Sequence, residues 1–81
     1  MDYTLGQISL FGFSFQMVGW ATCEGQILSV AQNQALFSLI GFTYGGDGRT
    51  TFALPNLRGA EPNPNMRYYI CTQGIYPQRQ Y

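Results

Sequence analysis

The chain has 81 residues, a formal net charge of zero and neither Lys nor His, and it is 46% hydrophobic and 16% aromatic. Its length fits one domain with a thin core, and its neutrality gives no pull toward nucleic acid or an anionic membrane. Without Lys or His, acid–base work near neutral pH would fall to Asp2, Glu24, Asp47, Glu61, Cys23 and Cys71, and imidazole metal sites are excluded.

The opening Met1-Asp2-Tyr3 has no basic or long apolar stretch, so no signal peptide is expected. No apolar run approaches a membrane span, and the chain reads as soluble and made in the cytoplasm. Leu5, Ile8, Leu10, Phe11 and Phe13 alternate weakly, which predicts a strand over residues 5–13, bent near Gly12. Residues 20–23 and 26–30 are short apolar runs flanking Glu24-Gly25, the pattern of a tight hairpin. Ala35, Leu36, Leu39 and Ile40 lie at helical spacing, and Gly41 stands where a left-handed cap belongs; Ser29 is a candidate for the helix start. Residues 42–65 read as loop, with a short strand or turn near Phe52–Leu54. Residues 67–72 are β-prone, and Ile75-Tyr76-Pro77 closes the ordered part.

The most informative stretch runs from Tyr44 to Gly59. Gly45, Gly46 and Gly48 permit positive φ or close backbone approach, Pro55 fixes a torsion, and Arg58 carries a planar fork of donors. The loop lacks the Gly-Lys-Ser/Thr ending of a phosphate loop, so a structural turn is expected, with Asp47 accepting backbone hydrogen bonds or pairing with Arg49 or Arg58. A lone carboxylate there makes a weak calcium site.

Four segments, taken in order, resemble the phage tail collar domain family, whose members are often called microcystin-dependent proteins. They are Gly6-Gln7-Ile8-Ser9-Leu10-Phe11, Gly19-Trp20-Ala21-Thr22-Cys23-Glu24-Gly25-Gln26, the helix from Gln32 to Gly41, and the loop ending Leu54-Pro55-Asn56-Leu57-Arg58-Gly59. Tyr69-Ile70-Cys71-Thr72-Gln73-Gly74-Ile75-Tyr76-Pro77 is similar to the family's closing strand. Where many members carry a long insertion after the Leu-Arg-Gly exit, this chain has only Ala60-Glu61-Pro62-Asn63-Pro64-Asn65. Any metal or receptor function of that insertion is therefore not inherited.

The resemblance implies a single collar-like domain over residues 1–81. The expected architecture is α+β: a small antiparallel sheet with one helix and a long glycine-rich loop. The closing strand returns to pair with the first strands. It also implies a structural protein of a phage tail or phage-tail-like particle, in a virion or extracellular particle. The resemblance implies homo-oligomerisation as a trimer, with other tail proteins as further partners; the missing insertion leaves a ring or filament as the alternative.

The residues themselves add further expectations. Tyr68, Tyr69, Tyr76, Tyr81, Arg67 and Arg79 form a Tyr/Arg set of the kind that dominates protein interfaces, and so many rings exceed what a small core hides. The same rings could serve a host glycan or protein, the alternative function; Trp20 is expected in the core. Cys23 and Cys71 lie in predicted strands, and a disulfide and two buried thiols stand as equal readings. No residue constellation points to an enzyme or a cofactor, and sheet edges without Lys favour pairing with another copy.

Overall fold

The computed structural model describes residues 3–13 and 17–77. Five strands and one helix follow in the order β1 (Ile8–Phe11), β2 (Trp20–Thr22), β3 (Ile27–Ser29), α1 (Gln34–Ile40), β4 (Thr51–Ala53) and β5 (Arg67–Cys71). They make an α+β fold of two antiparallel sheets, ordered β1-β5-β2 and β3-β4. Among the described residues no helix is long and apolar enough to cross a membrane.

β5 is the central strand. Ile8, Ser9, Leu10 and Phe11 oppose Ile70, Tyr69, Tyr68 and Arg67, while Trp20, Ala21 and Thr22 oppose Cys71, Ile70 and Tyr69. Because side chains alternate across a strand, this register sorts the residues onto two faces. Ile70 and Tyr68 join Leu5, Cys23, Leu36, Phe52 and Leu54 in one cluster beneath the helix and the small sheet. Tyr69 and Cys71 face the other way, with Trp20, Tyr3, Phe11, Phe13 and Met17. The second cluster is built largely of rings meeting edge to face. Tyr3 and Phe11 lie 5.1 and 5.4 Å from Trp20, and Phe11 lies 5.4 Å from Tyr69. Such pairs add roughly 0.5–1.5 kcal/mol each beyond area burial.

Glu24-Gly25 is a corner between sheets rather than a hairpin, because β2 pairs with β5 and β3 with β4. Gly25 takes φ +79°, its N–H donates to the Pro55 carbonyl (3.3 Å), and Glu24 bridges Asn56. The helix starts at Gln34, two residues after the Gln32 start that the resemblance implies. Asn33 precedes it, and its side-chain amide donates back to the Ser29 carbonyl (3.0 Å), so Ser29 does not cap. Leu36 is buried, Phe37, Leu39 and Ile40 are half-buried, and Ala35 is exposed. Gly41 closes the helix at φ +59°, its N–H donating to the Phe37 carbonyl (2.7 Å). The chain ends meet, since Leu5 N–H donates to the Ile75 carbonyl (2.8 Å) and Ile75 N–H to the Tyr3 carbonyl (2.7 Å).

Leu36 is the residue of the helix that is fully buried in the larger cluster. Leu36→Ala is expected to cost about 2–5 kcal/mol, the range for a leucine cavity that relaxes only partly. Urea unfolding followed by circular dichroism measures it; a loss near zero would mean that the helix does not anchor this core.

Candidate functional site

The glycine-rich segment is locked by its own carboxylate. Asp47 Oδ1 accepts from the backbone N–H of Arg49 (2.7 Å), Thr50 (2.8 Å) and Thr51 (2.9 Å), and Oδ2 accepts from Thr50 Oγ1 (2.8 Å). These bonds, that from Thr51 foremost, hold the Asp47 carboxyl well below the usual carboxylate range. Its partners are backbone and hydroxyl groups, not Arg49 or Arg58 guanidinium. Arg58 is exposed, and its backbone N–H donates to Asn56 Oδ1 (3.2 Å). Arg58 therefore does not hold the loop as expected; Asp47 does.

The glycines serve close approach. A Cβ on Gly46 would lie 2.5 Å from the Phe52 Cα, and one on Gly48 would lie 2.6 Å from the Phe42 ring. The turn folds back along β4, with Ala53 N–H donating to the Gly45 carbonyl (3.1 Å) and Gly48 N–H to the Thr51 carbonyl (2.9 Å). It thus covers the outer edge of β4. Pro55 is buried. The exit that follows it zips onto the corner after β2, with Leu54 N–H donating to the Gln26 carbonyl (2.9 Å) and Leu57 N–H to the Cys23 carbonyl (2.8 Å). The two motifs that carry the resemblance are thus packed on each other.

The two cysteines are free and buried. Of the two readings left open by the sequence, the structure takes the thiols. Trp20 opposes Cys71, so Cys23, three residues on, falls on the other face of the sheet. Cys23 packs with Ile70 and Cys71 with Tyr69, and burial pushes the Cys23 thiol up to about 11. Neither is activated toward nucleophilic attack.

The expected Tyr/Arg surface is only partly surface. Tyr69 is 1% exposed and its burial raises its pKa, so it belongs to the interior. Tyr68 is half-buried against the larger cluster. Arg67 is half-buried and donates through Nη1 to the Pro64 (2.9 Å) and Met66 (2.7 Å) carbonyls of its own chain. Tyr76 remains 48% exposed, its hydroxyl 2.8 Å from Ser38 Oγ. Arg79 and Tyr81, like Asp2, lie outside the described residues. The reasoning from core volume failed because the three-stranded sheet is packed on both faces, which doubles the surface against which rings can hide.

Exposed apolar groups instead lie at Val18, Ile27, Phe42, Tyr44, Ile75 and Tyr76, with Ile8 at 40%. Phe42 and Tyr44 follow the Gly41 cap, outside the helix's apolar stripe, and that position was the available signal for them.

One groove, of about 430 Å³, runs beside β2 and is lined by Trp20, Thr22, Glu24, Gln26, Arg67 and Tyr69. Thr22, Glu24 and Gln26 form a polar chain along its rim: Thr22 Oγ1 donates to Glu24 Oε1 (3.1 Å), and Gln26 Nε2 donates to Thr22 Oγ1 (3.1 Å). Glu24 sits in this rim, Asp47 in the glycine turn, and Glu61 accepts from Gly59 N–H (2.8 Å) in the exit loop. Among the described residues no group of three or more His, Cys, Asp or Glu is placed to hold a metal ion.

A family model for the phage tail collar domain matches residues 6–62. No curated protein and no solved structure matches the chain.

The depressed Asp47 carboxyl makes loop stability pH-dependent. Its contribution is fully present above the unfolded carboxylate value of about 3.9 and is lost as pH falls toward the lower folded value. Between about pH 6 and pH 2.5 the wild-type midpoint of thermal unfolding should therefore fall more than that of Asp47→Ala. Parallel slopes for the two proteins would contradict the cap.

Proposed function

The chain belongs to the phage tail collar domain family, a family of tail structural proteins, and from that premise we propose that it acts by self-association as a trimer, ring or filament within a phage tail or phage-tail-like particle. One observation carries the proposal. A subunit of 9.1 kDa leaves Val18, Ile27, Phe42, Tyr44, Ile75 and Tyr76 between 48% and 96% exposed. Apolar groups on so small a surface, with only 10% of residues charged, are the usual mark of a contact region. The rigid glycine turn supports this reading, because it presents Phe42 and Tyr44 beside a turn that Asp47 holds in one conformation. The mechanism is burial of these groups between copies, with heterologous contacts closing into rings or running on as filaments.

The test is chromatography with in-line light scattering at micromolar concentration, followed by electron microscopy of the same material. A mass that is a multiple of 9.1 kDa is expected. A clean monomer throughout that range would overturn the proposal.

A second reading, recognition of a host glycan, is favoured by the groove beside β2, where Glu24, Gln26 and Thr22 offer polar partners above Trp20 and Tyr69. On that reading a glycan array gives signal that Glu24→Ala removes. Signal unchanged in that variant would sink the groove as the site.

A further inference from the structure

We propose that β1 is the strand through which two copies of this chain pair, edge to edge and antiparallel, about a two-fold axis at Ser9. The inference rests on the self-association proposed above and names the surface that carries it.

The argument starts from which backbone groups each strand leaves open. In an antiparallel sheet a residue's N–H and C=O point to the same edge, and successive residues point to opposite edges. Cys71 N–H donates to the Gln7 carbonyl (2.8 Å), so Gln7, Ser9 and Phe11 turn toward β5, and Ile8 and Leu10 turn outward. Elsewhere the fold closes its edges. On β4 the outward groups of Ala53 and Thr51 are taken by Gly45 and Gly48. On β2 the Trp20 N–H donates to the Met17 carbonyl (3.2 Å), and just beyond that strand the Glu24 N–H donates to Gln26 Oε1 (3.0 Å). On β3 the Ser29 carbonyl accepts from the Asn33 amide. Among the described residues, β2 keeps Thr22 and the Trp20 carbonyl open, and β3 keeps Ile27 and the Ser29 N–H. β1 keeps Ile8 and Leu10 in succession, both donors and both acceptors.

That edge is complementary to itself. Set antiparallel about Ser9, Ile8 of one copy faces Leu10 of the other, and each pair exchanges both of its backbone hydrogen bonds. The side chains agree with the backbone. Ile8 and Leu10 lie on one face and would meet as apolar cross-strand pairs, burying an Ile8 that is now 40% exposed. On the other face Gln7 meets Phe11, and Ser9 meets Ser9. The whole strand, Ile8-Ser9-Leu10-Phe11, carries no charge, so bringing it against its own copy creates no like-charge contact. Gly6 and Gln7 together oppose Cys71 as a glycine bulge at the start of the strand, but from Ile8 to Phe11 the edge has neither Lys nor Pro, the kind that natural monomers avoid. A partner of different sequence would need to match this spacing independently, whereas a second copy matches it by symmetry. The product is one continuous sheet, ordered β2-β5-β1 in one copy and β1-β5-β2 in the next. Among the assemblies proposed above, this selects those built from pairs.

Two variants read the pairing separately from folding. Ser9 faces its own copy in a pair that is not hydrogen-bonded, where Cα atoms approach to about 4.5 Å, within disulfide range. Ser9→Cys should therefore cross-link into a covalent dimer under mild oxidation at least about tenfold faster than Val18→Cys, a 96% exposed control. Ile8→Pro removes an outward N–H that no other group in the subunit uses, a substitution edge strands tolerate. It should leave the circular dichroism spectrum intact and weaken association at least about tenfold by light scattering. If Ile8→Pro fails to fold, the cross-linking rates decide alone. Equal rates for Ser9→Cys and Val18→Cys, or a wild-type particle that is a lone three-fold trimer, overturn the β1 pairing and leave self-association standing. A wild-type monomer overturns both.

Discussion

The structure depends on β5 being hydrogen-bonded along both edges and buried on both faces. Tyr69, Ile70 and Cys71 are all under 2% exposed, and they divide the molecule into two hydrophobic layers. Neither β1 nor β2 has another partner, so without β5 both are isolated segments of three or four residues, too short to persist in water. The fold thus exists only when residues near the two ends of the chain have met. The reciprocal bonds between Leu5, Tyr3 and Ile75 lie just past that strand and hold the ends together. Such non-local pairing is entropically costly to form, and the ring cluster of Tyr3, Phe11, Phe13, Trp20 and Tyr69 offsets part of that cost on one face.

The element types were legible in the sequence, because helical spacing from Leu36 to Ile40 and the β-prone run Arg67–Cys71 are local signals, whereas the return of the closing strand came from the family resemblance. The partition into two sheets was not legible. Glu24-Gly25 satisfies the pattern of a hairpin, and nothing local says that the strand before it belongs to β5 and the strand after it to β4. The decision is tertiary: the Pro55 and Gln26 carbonyls take donors from the facing segment, and Glu24 is held against Asn56. The same blindness misplaced Tyr69. A Tyr/Arg cluster reads as an interface by composition, whereas strand alternation about β5 turns Tyr69 inward and Arg67 toward its own loop carbonyls. The cysteines are the reverse case. Once Trp20 is paired with Cys71, parity alone places Cys23 on the opposite face, but that pairing is not written in either segment.

The glycine-rich motif was legible as a turn but not in what it accomplishes. Its glycines let the backbone lie against β4 closely enough to hydrogen-bond it, and Asp47 ties the turn to its own backbone. A glycine whose added Cβ would meet a backbone atom at 2.5 Å, as at Gly46, cannot be replaced without moving the strand it lies on. The Pro55 exit does the same for the corner after β2. What appears in the sequence as a conspicuous loop is, in physical terms, a cover for the outer edge of β4 and for the corner after β2, made from non-strand backbone.

That observation bears on how the fold covers its sheet edges without Lys. Natural monomers blunt exposed edges with charge, proline or bulges. Here the carbonyls of Gly45 and Met17, the amide of Gln26 and the amide of Asn33 do that work by occupying the edge groups directly. Occupation of this kind is specific where charge is not: it closes particular residues and leaves neighbours unaffected. Short local bonds of this kind close β4 and part of β2 and β3, where Thr22 and Ile27 stay open. Gln7 is adjacent to β1, yet its side-chain amide donates to Ser9 Oγ (3.1 Å) and leaves the groups of Ile8 and Leu10 open. Ile8 and Leu10 thus leave both donors and both acceptors open in succession, and this is the observation behind the pairing proposed for β1. The symmetry of Ile8 and Leu10 about Ser9 makes the chain's own copy the partner that fits it with the least additional requirement.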